Sequence, residues 1–334
     1  MGIFTGGRQA DDTAHKPVDC HMRISDHYIR AIGLVFTLLL QSCSLSSHPV
    51  GPPAGGKPVS SAEMERLLVQ PGPIQLQTIN SADWSVPLSG LLNLKSPAAM
   101  QAGLVDREEP IQVYAHVIKH PLRGNYLVDT GVSKQLVEDP GKVGLNWLIR
   151  RGMGIEKMKL QKGTASILQE MGGKLSGVFF THLHIDHISG MPDIPNDVPL
   201  YVGPTESTEK NLINLFVHGS TNQLLQDKQR LQEWGFQGDA QNQFEGIVDI
   251  FEDGSLFAIS VPGHTSGSVA YLVRTTQGPV LLTGDTSHTR WGWDHAVEPG
   301  DFTRNNARNL QNLQRLKALV ARYPQIAVRL GHQP

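Results

Sequence analysis

Short runs of Val, Ile, Leu and Tyr, each closed by Gly or Pro, recur along the chain and predict β-strands. Ile111 to Ile118 and Asn125 to Asp129 read as two strands joined by a turn. Gly177 to Thr181 is a third, and Leu200 to Val202, closed by Gly203-Pro204, a fourth. Ile247 to Phe251, Leu256 to Val261, Val269 to Val273, Val280 to Leu282 and Ile326 to Leu330 continue the series. Between them, Glu206 to Val217 and Gln223 to Trp234 predict helices stopped by Gly219 and Gly235. Asn305 to Tyr323 sets Leu310, Leu313, Leu316 and Val320 on one face and halts at Pro324, the pattern of an amphipathic helix. Strands dominate both halves with helices between them, which favours an α/β fold of sheets sandwiched by helices over a helical bundle or an all-β barrel. No internal repeat and no second linker interrupts residues 71–334, which are expected to form one domain.

The first 70 residues have a different character. Ala31 to Leu40 is charge-free and apolar, too short to span a bilayer but of the length of a secretory signal's apolar core. Arg23 and Arg30 give it a positive flank. Met1 to His21 carries Asp11, Asp12 and Asp19 and fits no such signal, so Met22 is the expected initiator; a buried core helix is the alternative for the apolar run. Leu40-Gln41-Ser42-Cys43 resembles the lipobox of bacterial lipoproteins, with Gln41 an unusual occupant of its position. By that resemblance Cys43 is lipidated and becomes the first mature residue. Ser44 in second place implies outer-membrane sorting, facing the periplasm. Gly, Pro and Ser make up most of Ser44 to Ser61, so residues 43–70 are expected to be a lipidated cysteine and a flexible tether behind a signal region at 1–42.

Charge narrows the partners. With 29 Lys+Arg against 31 Asp+Glu and a net charge of −2, nothing favours a nucleic-acid partner. The two cysteines, Cys20 and Cys43, both precede the predicted domain, which excludes a disulfide framework or a cysteine zinc site within it. Histidine is abundant, at 14 residues, and unevenly placed.

Thr181-His182-Leu183-His184-Ile185-Asp186-His187 follows a predicted strand directly, where four side chains can converge on a turn. Imidazole with carboxylate suits zinc or iron rather than calcium or magnesium. Three further fragments share the position just after a strand and a glycine: Pro262-Gly263-His264, Thr283-Gly284-Asp285 and Leu330-Gly331-His332. Loops at one edge of a sandwich deliver ligands to a shared site.

These residues together resemble the metallo-β-lactamase superfamily over residues 110 to 334. The resemblance implies a four-layer αββα sandwich with a binuclear site at one edge, holding two divalent metal ions, Zn2+ foremost. His182, His184 and His264 match the first metal site, and Asp186, His187 and His332 the second. Asp285 matches the carboxylate that bridges both. Leu127-Val128-Asp129-Thr130-Gly131 looks like the family's early strand motif. Asp129 is thereby expected to support a ligand's orientation, a plain strand-end turn being the alternative. Two such ions would lower the pKa of a water between them and clamp the reacting oxygens. Asp186, facing metal and nucleophile, could carry the proton to the leaving group.

Within the family, the pattern looks most like the lactonase branch, which opens acyl-homoserine lactones or related esters. Glyoxalase II-like thioesterase, phosphodiesterase, single-iron persulfide dioxygenase and a silent binding lipoprotein are the alternatives. The long interval between His187 and His264 leaves room for helices over a small-molecule substrate. Arg290, Trp291 and Trp293 follow Asp285 closely and suggest a pocket wall; core packing and a surface salt bridge are the alternatives. His218 reads as solvated or capping, with pocket lining as the alternative, and His288 and His295 receive no role.

Overall fold

Alternation sorts the strand side chains into layers. In β10 (Leu256–Ser260) and β11 (Val269–Thr275), Leu256, Ala258, Val269, Tyr271 and Val273 join one apolar cluster while Phe257, Ile259, Ala270 and Leu272 join another. Both faces are buried, which is why these strands look like uninterrupted apolar runs in the sequence. The computed structural model describes residues 1–3, 6 and 44–334. Met22, the apolar run at 31–40 and Cys43 lie outside the described residues. The chain divides into Met1–Gln41 and Ser42–Pro334, and the architecture that follows belongs to the second unit.

Two sheets stack face to face. The six-stranded sheet has the order β1 (Lys57–Pro58), β9 (Ile247–Asp249), β10, β11, β12 (Gly278–Leu282) and β13 (Ala327–Arg329), antiparallel except for the β12–β13 pair. The seven-stranded sheet has the order β5 (Lys159–Leu160), β2 (Gln75–Pro87), β3 (Glu108–His120), β4 (Gly124–Val128), β6 (Gly177–Phe179), β7 (Leu200–Val202) and β8 (Leu231–Glu233). From β4 to β8 its strands run parallel. Three buried clusters fill the interfaces. Ile118, Val128 and Phe179 of one sheet meet Ala258, Tyr271 and Leu282 of the other. Leu313, Leu316 and Leu319 of the helix Asn306–Arg322 cover the outside of the six-stranded sheet, and short helices cover the other. The result is the expected αββα order of layers.

Three elements differ from the sequence expectation. The insertion after β7 holds one helix, Asn214–Leu225, which runs through Gly219. The second predicted helix ends instead in β8, where pairing with β7 and complete burial of Leu231 outweigh local propensity. The strand β2 went unpredicted because a bulge between Asn80 and Ala82 shifts its register: Ile79 faces the core before it, Ala82, Trp84 and Val86 after it.

The expected tether is packed. Leu45 and Ser46 are buried, Ser44 bridges Lys210, Val50 bridges Leu231, and β1 extends the six-stranded sheet. Ser60 and Glu63 form a capping box that starts a helix burying Met64 against the six-stranded sheet's outer cluster. Gly56 shows why the composition misled. At φ +107°, a Cβ there would lie 2.7 Å from Val248, so the glycine serves close approach to a strand rather than freedom.

Candidate metal centre

Every fragment singled out by its histidine or aspartate arrives at the same place. Asp129 follows β4, the Thr181 to His187 loop follows β6, His264 lies beyond β10, Asp285 follows β12 and His332 follows β13. Asp129 adopts φ +54°, a left-handed turn that a short polar side chain tolerates, and becomes the hub of the loop beside it. Its Oδ1 accepts from the Thr181 amide at 2.8 Å and its Oδ2 from the Thr181 hydroxyl at 2.9 Å. The same Oδ2 accepts from His187 Nδ1 at 2.8 Å. Having donated its own proton, Thr181 Oγ1 accepts from His182 Nδ1 at 3.1 Å. One carboxylate thus orients two histidines, and neither Nε2 has a hydrogen-bond partner. His332 completes the pattern by donating Nδ1 to the Gln112 carbonyl at 2.9 Å.

Four histidine Nε2 atoms converge on Asp285. Its Oδ2 lies 3.6 Å from His182 Nε2, 3.3 Å from His187 Nε2, 3.5 Å from His264 Nε2 and 3.4 Å from His332 Nε2. Asp186 Oδ2 is 3.2 Å from His332 Nε2 and 3.6 Å from His187 Nε2. Two sets of donors emerge, each with all its atoms within 4.8 Å of one another: His182, His184, His264 and Asp285, and Asp186, His187, Asp285 and His332. Asp285 belongs to both. Gly331 permits this crowding, since a Cβ there would stand 2.1 Å from Asp285 Oδ1.

Electrostatics shows how well a cation fits. His182 Nε2, His187 Nε2 and Asp285 Oδ1 are buried without a hydrogen-bond partner, a costly state for polar atoms unless something charged joins them. Burial and neighbouring imidazoles hold His182 and His264 well below the usual histidine range, and burial brings His184 down to about 4. In the other set burial is overcome by Asp285 and its fellow carboxylates, which lift His187 well above that range and His332 to about 10. Asp186 stays below its usual range because His187 and His332 outweigh its burial. A dense set of imidazoles and carboxylates is a divalent metal site in its donor chemistry.

The family model described as the metallo-beta-lactamase superfamily matches residues 109–332. The chain belongs to this superfamily. The N-acyl homoserine lactonase AttM of Rhizobium johnstonii is 27% identical over 243 residues, covering 70% of this chain and 86% of its own. The Agrobacterium fabrum AttM is 26% identical over 243 residues. Gamma-lactamase MBL2 of Gibberella moniliformis is 34% identical over 144 residues, covering 40% of this chain and 59% of its own. Among solved structures, a quorum-quenching N-acyl homoserine lactone lactonase superposes with a TM-score of 0.53 at 19% identity, covering 79% of this chain and 94% of that one. The dizinc quorum-quenching lactonase AidC gives 0.52 at 13% identity, covering 85% and 92%. At these identities the structural matches establish the metallo-β-lactamase fold.

Two residues of this metallo-β-lactamase centre carried no recognisable signal. His288 is buried, donates Nδ1 to the Leu91 carbonyl at 3.0 Å and sets Nε2 2.9 Å from Asp285 Oδ2, the oxygen that the other imidazoles also face. Glu206 is fully buried and joins the two loops of the first set. It accepts from the Leu183 amide at 2.8 Å, the Thr265 hydroxyl at 2.7 Å and the Gly267 amide at 3.0 Å. Burial, against those donors, pushes Glu206 up to about 7.

The three residues suggested as a pocket wall have different surroundings. Trp293 packs in the apolar cluster under the helix Asn306–Arg322, with Lys317 over its ring, because its helix turns it inward. Trp291 stacks on His295 at 4.1 Å and is partly buried against the opposite cluster. Arg290 is half-buried and donates Nε to the Pro334 carbonyl at 3.2 Å. His218 donates Nδ1 to the Ser44 carbonyl at 2.8 Å, away from the metal centre's donor sets.

Proposed function

We propose that this chain is a dinuclear, zinc-dependent hydrolase that opens the ring of a lactone, with N-acyl homoserine lactones as the substrate class. The observation that carries this reading is the shared Asp285: two complete donor sets meet on one carboxylate, as a two-ion hydrolytic site requires. Lactonases stand among the relatives that match over most of both chains, which supports the choice of ring. Two divalent cations held by His182, His184, His264, Asp186, His187, His332 and Asp285 would supply a nucleophilic water at neutral pH and polarise a carbonyl. Asp129, through Thr181 and His187, orients the rings of His182 and His187 that would hold those cations. Asp186 is the more exposed carboxylate of its set, ionised at neutral pH, and is positioned to take a proton and return it to the alcohol oxygen as the ring C–O bond breaks.

The proton role separates substrates. General-acid assistance is typically worth about 10²- to 10⁴-fold, and an aliphatic alkoxide needs it far more than a nitrophenolate does. Asp186→Asn should therefore lose much more activity on aliphatic lactones than on nitrophenyl esters, metal content being equal. Equal losses would leave Asp186 a ligand only. The fungal gamma-lactamase relatives favour a second reading, in which the opened ring is a lactam; hydrolysis of a γ-lactam panel beside the lactones decides between them. Export and lipid attachment at Cys43, with residence at the outer membrane, complete the proposal. The lipobox-like Leu40 to Cys43 and the apolar run before it support this, and membrane fractionation of Cys43→Ala tests it.

A further inference from the structure

The insertion that follows β7 turns large apolar side chains to solvent. Leu212, Ile213, Leu215 and Phe216 are each 47% to 55% exposed. The amide of Leu215 donates to the Leu212 carbonyl and that of Phe216 to the Ile213 carbonyl, so the helical winding already begins at Leu212. Leu212, Leu215 and Phe216 consequently share one face, at spacings of three and four. Next to this insertion, the helix Trp147–Met153 opens with Trp147, 69% exposed, and Leu148, also exposed. The loop leading into that helix is held to the insertion by the Ser220 hydroxyl, which donates to the Gly144 carbonyl at 2.8 Å. Six such side chains on adjoining elements are more than the scattered apolar exposure of an ordinary surface.

The same insertion receives the chain as it enters the domain. Ser44 forms an antiparallel bridge with Lys210, the Leu45 amide donates to the Glu209 carbonyl at 3.0 Å, and His218 holds the Ser44 carbonyl. Ser44 is therefore pinned on both sides of the 212–216 turn. Immediately before it in sequence stand Cys43 and the charge-free run from Ala31 to Leu40. Whether lipidated cysteine or retained apolar segment, a membrane-seeking stretch joins the domain beside this apolar exposed turn. Arg151 and Lys210, both exposed, flank the patch with positive charge, the combination that suits an interface of acyl chains and anionic headgroups.

We propose that the 212–216 turn, with Trp147 and Leu148, lies on a phospholipid surface when the chain is anchored. The helix Asn214–Leu225 packs against the helix Ile185–Ile188 of the metal loop, so this contact would set an element that packs on the metal loop against the bilayer. The inference stands apart from the lactone reading, and its test reads no activity.

Full-length Cys20→Ser protein can be coupled through Cys43 to vesicles of phosphatidylcholine and phosphatidylglycerol carrying a maleimide lipid. Phe216→Trp adds a reporter in the turn. Leu122→Trp adds a control on the β3–β4 turn, at the end of β4 opposite the one that leads to Asp129. Replacing the phosphatidylcholine by its acyl-brominated form should quench the indole added by Phe216→Trp several-fold more than the one added by Leu122→Trp. Trp147→Phe should remove part of the quenching seen without either reporter. Equal quenching of the two reporters overturns the proposal. So does an emission from the Phe216→Trp protein that is already blue-shifted without vesicles: if the shift depends on protein concentration, a second copy covers the turn, and if it does not, the chain's own apolar run does.

Discussion

The two halves of the metal centre hold their histidines in opposite charge states. His182, His184 and His264 crowd together with their rings in contact, His184 Nδ1 lying 2.9 Å from His264 Nε2, and burial keeps all three neutral. His187 and His332 stand among Asp129, Asp186 and Asp285, which outweigh burial and keep both rings protonated while no cation is bound. The first half is a group of neutral imidazoles, two of them hydrogen-bonded to each other. The second is a network of carboxylates and protonated imidazoles in which a cation must displace protons. Asp285 ties them together, so the halves differ in how they fill but share the residue that makes them one site.

Removing that residue should have the largest effect. Asp285→Ala takes a donor from both sets at once and is expected to abolish turnover and lower metal content in both halves, as measured by elemental analysis of the purified variant. A variant that loses metal from one half only would show the two sets to be independent. Asp129→Asn comes next. It disturbs His187 directly and His182 only through Thr181, so metal affinity should fall by about 10- to 100-fold in the second half and less in the first. Metal titrations resolve the two. Glu206→Ala should be mildest on chemistry and felt in stability. It strands the Leu183 and Gly267 amides and leaves the Thr265 hydroxyl only Ser268, for a cost of about 1–3 kcal/mol by denaturant unfolding, with metal loss confined to the first half.

The legibility of these parts in the sequence follows from how each does its job. The His182 to His187 cluster is contiguous, and His264, Asp285 and His332 each sit just past a strand and a glycine, so residue type and local context exposed them. The layers were legible for a similar reason: β10 and β11 are apolar throughout because both faces are buried. Glu206 and His288 act through contacts made by the fold, on loop amides and on Asp285, and no spacing along the chain records that. The bulge hid β2 by switching which parity of residue faces inward. Ser44 to Ser61 looked like a tether because its glycine and proline were read as freedom, although at Gly56 the missing side chain is what lets the chain lie on a strand. Trp293 looked like a pocket wall by its nearness to Asp285, but one helical turn directs it into the core.

Two unlike half-sites that share one carboxylate should reveal themselves most directly when a divalent metal is titrated into metal-free protein by calorimetry, in buffers of differing ionisation enthalpy. The shifted histidines give the sign. The first half has no protons to lose above the value of about 4 held by His184, whereas the second must release them below the value of about 10 held by His332. Two binding events per chain are predicted, one unaffected by pH across the neutral range and one that tightens as pH rises and releases protons. A single ion per chain, or two ions bound with the same pH dependence, would contradict the account.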